Sequence, residues 1–383
     1  MPALAQTPRP APAHGPAPAH GHNRELYIDA FRGLMALVMV QGHLCDHLLS
    51  PEARGLALYQ FQAMFHGSTA PGFLFASGFV AGLPRAPLSL KASIRRARRI
   101  LFVLGVGYAL HLPYFSLWKT AAAAGPTELR VLFACDALQA IAVAQLAVLA
   151  VQWMAGRRWT LVTGALAVAT LVAGPFVWDA RLSDRLPLPI GSYFDVMTGS
   201  HFPLFPFAAF VLAGTVAGAA VGRQEPGKRR RRALRAGVAL LLLGWLLHTV
   251  WLRGVVDFWG VSPAYTMIRL GALLLLLLAL DRIGEHEPPG FRALALLGRE
   301  TLLVFVLHLQ LLYGGVLAQG PLQGWAGQLG FGAAGLTLLA MIPVLFVTAW
   351  AWHRLKARAP HEATLLLVFL GTTFVFEFVT RPW

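Results

Sequence analysis

The sequence predicts an all-α polytopic membrane protein, a bundle of about eleven transmembrane helices with a cytoplasmic N-terminus. Three observations carry that expectation. The 383 residues are 57% hydrophobic and only 13% charged, with mean hydropathy +0.60, whereas a soluble chain carries ~25% charged residues. The apolar residues gather in stretches of ~17–25, long enough to cross ~30 Å of hydrocarbon, and the short alternating segments of a β-barrel are absent. The 32 basic residues also divide unevenly between alternate connections.

Spans are expected at 27–49, 58–83, 94–117, 130–154, 159–178, 201–222, 234–253, 263–281, 300–318, 331–352 and 363–380. Arg9, Arg24 and Arg32 precede or open the first. Between the second and third lie Arg85 and Lys91, the third opens on Arg95, Arg96, Arg98 and Arg99 at its cytoplasmic mouth, and between the fourth and fifth lie Arg157 and Arg158. The seventh is preceded by Arg223 and Lys228–Arg232 and opens on Arg235; Arg282, Arg292 and Arg299 precede the ninth. Arg354, Lys356 and Arg358 separate the last two. With the N-terminus inside, 24 basic residues fall in cytoplasmic segments, 7 outside and 1, Arg269, within a span. That is the positive-inside pattern. The formal charge of +15 is thereby read as a topology device, and nucleic acid is not an expected partner.

Residues 1–23 are rich in Pro, Ala and His without an apolar h-region, so a disordered cytoplasmic tail is expected rather than a cleavable leader. His14, His20 and His22 match no defined ligand spacing, and no metal is expected. Residues 24–383 are read as one transmembrane domain, because no connection is long enough to fold alone. The longest outside loop, Asp179–Ser200, carries Pro187, Pro189 and Gly191 and is placed to cap an outward cavity. Cys45 and Cys135 fall near outer span ends, where two buried free thiols are favoured over a disulfide.

Ionisable groups inside a bilayer are expensive and mark function by default. Arg32 and His43 are eleven residues apart in the first span, ~16 Å and close to three turns, so they share one helical face. His43 and His66 lie too deep for easy snorkelling and need a partner or a wet cavity. The same outer level holds Asp46, His47, His111, Asp136, Gln139, His201, His248, Arg269 and Glu377, with His308 nearer the midplane. Each has a plain alternative. The shallower histidines suit headgroup contact, Asp136 suits a helix cap, and Arg269 suits either an anion partner or a helix tether. The run Ser93–Ile100 reads either as a positive-inside anchor or as a clamp for a phosphorylated donor, since guanidinium pairs bidentately with phosphate. Lys228–Arg232 reads as topology and contact with acidic membrane lipid.

Six segments together resemble the transmembrane acyltransferase superfamily, which joins acyltransferase-3 proteins and heparan-α-glucosaminide N-acetyltransferase-like proteins. Tyr27–His43 resembles its first helix, whose hallmark is Arg, ten residues, His, matched by Arg32 and His43. His66–Phe79 resembles the second-helix motif through Ser77–Phe79, and Arg96, Arg99 and Ile100 match the Arg-x-x-Arg-Ile of the third. Cys135–Ala144, Phe202–Gly214 and Leu297–His308 are similar to an Asp-x-Leu-Gln segment, a Phe-Pro-Leu-x-Pro segment and a Leu-Gly-x-x-Ser/Thr-Leu helix ending in His. The order is kept over about Arg24–Tyr313 and favours the N-acetyltransferase-like branch, although Pro206-Phe207 replaces the usual Pro-Trp.

The resemblance implies transfer of an acyl group, expected to be acetyl, from cytosolic acyl-CoA to a hydroxyl or amine of a glycan or lipid-linked acceptor. Arg32, Arg96 and Arg99 are then the donor-binding candidates. His43 is the candidate general base, with His66, Asp136 and His308 beside it and Ser68 a further oxyanion donor. Asp46, His111, Gln139 and Arg269 are the acceptor-binding candidates. Direct transfer and a transient acyl-His43 both remain open, as does oligomeric state. The expected location is the inner membrane of a bacterium. Outside this class, a proton-coupled transporter with relaying histidines and a non-catalytic membrane partner remain alternatives.

Overall fold

The computed structural model describes residues 23–83, 89–221, 226–252, 257–315 and 318–381. Of the expected tail over residues 1–23, residues 1–22, with Arg9, lie outside the described residues and Asn23 opens the first helix; the basic residues Arg85, Arg223 and Arg253 also lie outside them. Among the described residues all regular elements are helices: α1 (Asn23–Leu48), α2 (Pro51–Arg54), α3 (Ala57–His66), α4 (Thr69–Gly82), α5 (Leu90–Leu110) and α6 (Leu117–Ala123). There follow α7 (Pro126–Phe133), α8 (Ala137–Met154), α9 (Trp159–Asp179), α10 (Leu188–Gly191), α11 (Leu204–Val221) and α12 (Pro226–Leu247). The last are α13 (Pro263–Ile283), α14 (Phe291–Arg299), α15 (Thr301–Tyr313), α16 (Phe331–Arg358) and α17 (Pro360–Thr380).

Among the described residues, seven helices are long and apolar enough to cross a membrane, and eight if the bent pair α14–α15 is one span. α1 and α5 fall outside that set because of the polar and basic residues they carry, and the second expected span because it is broken. It divides at Gly67-Ser68 into α3 and α4, where the Thr69 hydroxyl donates to the His66 carbonyl at 2.8 Å. The fourth begins at Ala137 rather than residue 130, because the Cys135 amide donates to Ser200 Oγ (2.9 Å) and Asp136 becomes the helix cap. The ninth is preceded by α14, set at 82° to α15. Local chemistry punctuates the other starts: Ser89 Oγ accepts from Ala92 N (3.2 Å), and Pro126, Pro263 and Pro360 occupy first-turn positions that need no amide donor.

α1 is the central helix. Its first half packs with α4, α13 and α14 in a cluster that holds Phe31, Phe79 and, from α11, Phe210, and its second half with α14, α15 and α16 around Leu44, Leu312 and Leu345. The crossing with α14 is close enough that a Cβ on Gly298 would strike the Asp29 carbonyl, and one on Gly33 the Leu294 carbonyl. That contact fixes the rotation of α1, and with it the face bearing Arg32 and His43. The far end of α1 is pinned by Leu329 N donating to Leu48 O (2.8 Å) and Ser50 N to Leu329 O (2.9 Å). Cys45 and Cys135 are both buried and unbonded to each other.

Candidate active site

The shared face of α1 meets one partner element at both of its polar positions. Arg32 Nη2 donates to Thr301 Oγ1 at 2.7 Å, and His43 Nδ1 lies 2.8 Å from His308 Nε2. Thr301 and His308 both belong to α15, seven residues or two turns apart. Arg32 is further steadied by Asp29 (3.6 Å), which also receives Arg299 Nε at 2.8 Å.

The histidine contact has a definite polarity. His308 is fully buried, and its Nδ1 lies 3.0 Å from the Val304 carbonyl, which can only accept. The hydrogen-bond network therefore assigns the His308 proton to Nδ1 and leaves Nε2 as an acceptor. His43 in turn donates from Nδ1, so its Nε2 carries the free lone pair. The two rings lie nearly parallel, with centroids 5.1 Å apart and planes at 10°. With both its nitrogens engaged, His308 orients His43 in the manner of a positioning group and has no donor left for an oxyanion.

His66, the last residue of α3, stands edge-on to His43 with centroids 5.2 Å apart. Its Nε2 lies 3.5 Å from Asp46, whose other oxygen accepts from the Tyr59 hydroxyl at 2.9 Å. Its buried Nδ1 has no hydrogen-bond partner among the described residues and faces Gly42, where any Cβ would collide with the ring. Arg269 stacks its guanidinium 3.9 Å from the centre of Tyr265 and reaches Gly67 beside His66, its Nε without a partner among the described residues.

Arg32, Arg96 and Arg99 line one cavity of about 350 Å³, together with Ser77, Thr301 and Phe305. Arg96 is held by Gln152 at 2.8 Å. The cavity thus joins the arginine end of the bundle to Phe305, whose ring packs edge-on to His308 at 5.6 Å.

Asp136, expected beside His43, makes its side-chain hydrogen bonds to two other histidines. Its Oδ2 meets His111 Nε2 at 3.0 Å and its Oδ1 meets His201 Nδ1 at 2.8 Å. Gln139, fully buried on the same helix, faces His111 Nδ1 at 3.4 Å. Burial alone would raise the Asp136 pKa, but the hydrogen bonds from His111 and His201 hold it below the usual carboxylate range. The bond to Asp136 correspondingly raises the pKa of His201. This trio lines a second cavity, of about 420 Å³, with Arg130, Thr198 and Gly199. One wall comes from the Asp179–Ser200 loop, which buries Asp195 as acceptor for the Ser183 amide (3.0 Å) and the Met197 amide (3.1 Å). Among the described residues no group of three or more His, Cys, Asp or Glu is arranged to hold a metal ion.

The family described as heparan-alpha-glucosaminide N-acetyltransferase, catalytic, matches residues 24–252. The chain belongs to this family. No curated protein matches it. The matched stretch holds Arg32, His43, His66, Arg96, Arg99 and Asp136, whereas Arg269, Thr301 and His308 lie beyond it. The family is one of membrane acetyltransferases with acetyl-CoA as the general donor and a glycan as acceptor.

Thr301, Phe305 and His201 have roles in this geometry that sequence reasoning left unassigned. Thr301 and His308 repeat on α15 the same-face logic of Arg32 and His43, which is the signal that would have paired the two helices.

Proposed function

We propose that this protein moves an acyl group, most economically acetyl, from cytosolic acyl-CoA to a hydroxyl or amine of an envelope glycan or lipid-linked acceptor on the far side of a bacterial inner membrane. The observation that carries the reading is the single cavity with Arg32, Arg96 and Arg99 at one end and Phe305, packed on the His308–His43 pair, at the other. Charged phosphates need guanidinium at the mouth, and a thioester arm needs an apolar passage toward the base. The positive-inside bias supports a cytoplasmic arginine end and about eleven crossings.

The acceptor enters from the cavity lined by His111, Asp136 and His201, where Gln139 steadies His111; Asp46 and Arg269 border the His66 side. His43 Nε2 takes the acceptor proton as its oxygen or nitrogen attacks the thioester carbon. A tetrahedral oxyanion forms, for which His66 and Ser68 are the remaining donor candidates. Its collapse breaks the C–S bond, and the leaving sulfur takes the proton back from His43, releasing CoA-SH. Direct transfer needs no covalent enzyme intermediate and is the simpler course.

Purified protein incubated with radiolabelled acetyl-CoA and a panel of sugars tests this reading. The expected result is acceptor-dependent thiol release. The absence of both CoA binding and thiol release with every acceptor would sink it, and substrate flux without CoA would favour a transporter. A reporter fused after Trp383 is expected on the outer side.

A further inference from the structure

A third cavity lies away from the histidines, and the donor path does not use it. It is a furrow of about 220 Å³ between the adjoining ends of α11 and α12, floored by α13. Ala217, Ala220, Ala233 and Ala236 form its sides, with Leu277 and Phe79 behind. Four small side chains on facing helices leave a slot whose lining is almost wholly apolar. At ~30 Å³ per water-sized group it holds roughly seven such groups, the scale of an acyl-chain segment. Tyr27, at the start of α1, also lines it, so the furrow is at the same end of the bundle as Arg32.

The mouth is strongly basic. Arg229, Arg230 and Arg232 line it with Asp281. Asp281 holds the half-buried guanidinium of Arg230 at 2.6 Å and that of Arg229 at 3.3 Å, and Arg230 also pairs with Glu285. Those pairs orient two arginines at the slot without neutralising the cluster. Lys228, Arg231 and Arg235 add three more cations on the same helix start, and Arg232 makes no ion pair among the described residues. A topological anchor requires only positive charge near the surface; it does not require an apolar slot beneath oriented guanidinium groups.

We propose that this furrow is a binding site for one anionic phospholipid of the adjacent leaflet, its phosphate at Arg232 and Arg229 and one acyl chain in the alanine-lined slot. Charge complementarity selects the headgroup, and the lining selects a chain over a soluble phosphate. The proposal is independent of the transfer chemistry.

Native mass spectrometry of the full chain in neutral detergent tests it, with phosphatidylglycerol and phosphatidylcholine of identical chains as probes. The wild type should retain the anionic lipid at least tenfold more tightly. Arg232→Gln, which breaks no ion pair among the described residues, should remove most of that preference and leave phosphatidylcholine retention unchanged. Ala236→Trp, which fills the slot and keeps every arginine, should weaken retention of the anionic lipid as strongly. Equal retention of the two lipids, or undiminished binding in both variants, overturns the proposal. So does displacement of the lipid by millimolar inorganic phosphate or CoA, which would make the mouth a site for phosphate or donor alone.

Discussion

Gly42→Ala separates the chemistry of the histidine cluster from its stability. Gly42 lies on α1 one residue before His43, and a Cβ there would overlap the imidazole of His66. The obstacle is a side chain rather than backbone, so the fold can respond by swinging one ring. Moving His66 off its rotamer costs ~0.5–1.5 kcal/mol, while replacing Gly by Ala inside a helix returns ~1 kcal/mol. These nearly cancel, so the melting temperature should change by only a few degrees. The His43–His308 contact is untouched, but His66 leaves its place 5.2 Å from His43. If His66 steadies the oxyanion, turnover should fall ~10²–10³-fold, the usual effect of one lost donor. Thiol release from acetyl-CoA and scanning fluorimetry in the same detergent measure both quantities, and His66→Ala gives the reference loss. Wild-type turnover in Gly42→Ala, with His66→Ala impaired, would refute the placement of His66. Full activity in both variants would remove His66 from the chemistry.

His43→Ala should cut turnover ~10²–10⁴-fold, the range for a general base, while acetyl-CoA binding measured by calorimetry persists. Arg96→Gln combined with Arg99→Gln should raise the KM for acetyl-CoA at least tenfold with a much smaller change in kcat, because both guanidinium groups lie at the cavity mouth. Asp136→Asn should flatten the pH dependence of thermal stability. The depressed pKa of Asp136 contributes stability present above the usual carboxylate range and lost as pH falls. The raised pKa of His201 contributes stability present below ~6.5 and lost as pH rises through its folded value. The combined effect is greatest at roughly pH 4–6.5, and because the His201 side chain is 73% exposed, its share is at most ~1 kcal/mol. Gly298→Ala should destabilise by ~1–3 kcal/mol through overpacking, since its Cβ would meet the rigid Asp29 carbonyl; an unchanged melting temperature would count against the close α1–α14 crossing.

Span length and charge bias are properties of short stretches, so the membrane class and the uneven placement of 32 basic residues can be read from the amino-acid order. It also determined that Arg32 and His43 share a face, because helical periodicity acts within one element. Breaks were less legible: Gly67-Ser68 and Ala134–Asp136 sit inside apolar runs, and competing hydrogen bonds, from the Thr69 hydroxyl to the His66 carbonyl and from the Cys135 amide to Ser200 Oγ, open them. What faces that α1 surface was decided only by tertiary structure. Thr301 and His308 stand 269 and 265 residues away from Arg32 and His43, and the contact depends on how closely α14 crosses α1 at Gly33 and Gly298. The same holds for Asp136, an apparent partner for His43 by depth alone, whose carboxylate is committed to His111 and His201. Depth in a bilayer is a one-dimensional coordinate that sequence supplies; the direction in which a side chain finds its partner is set by packing around the bundle axis.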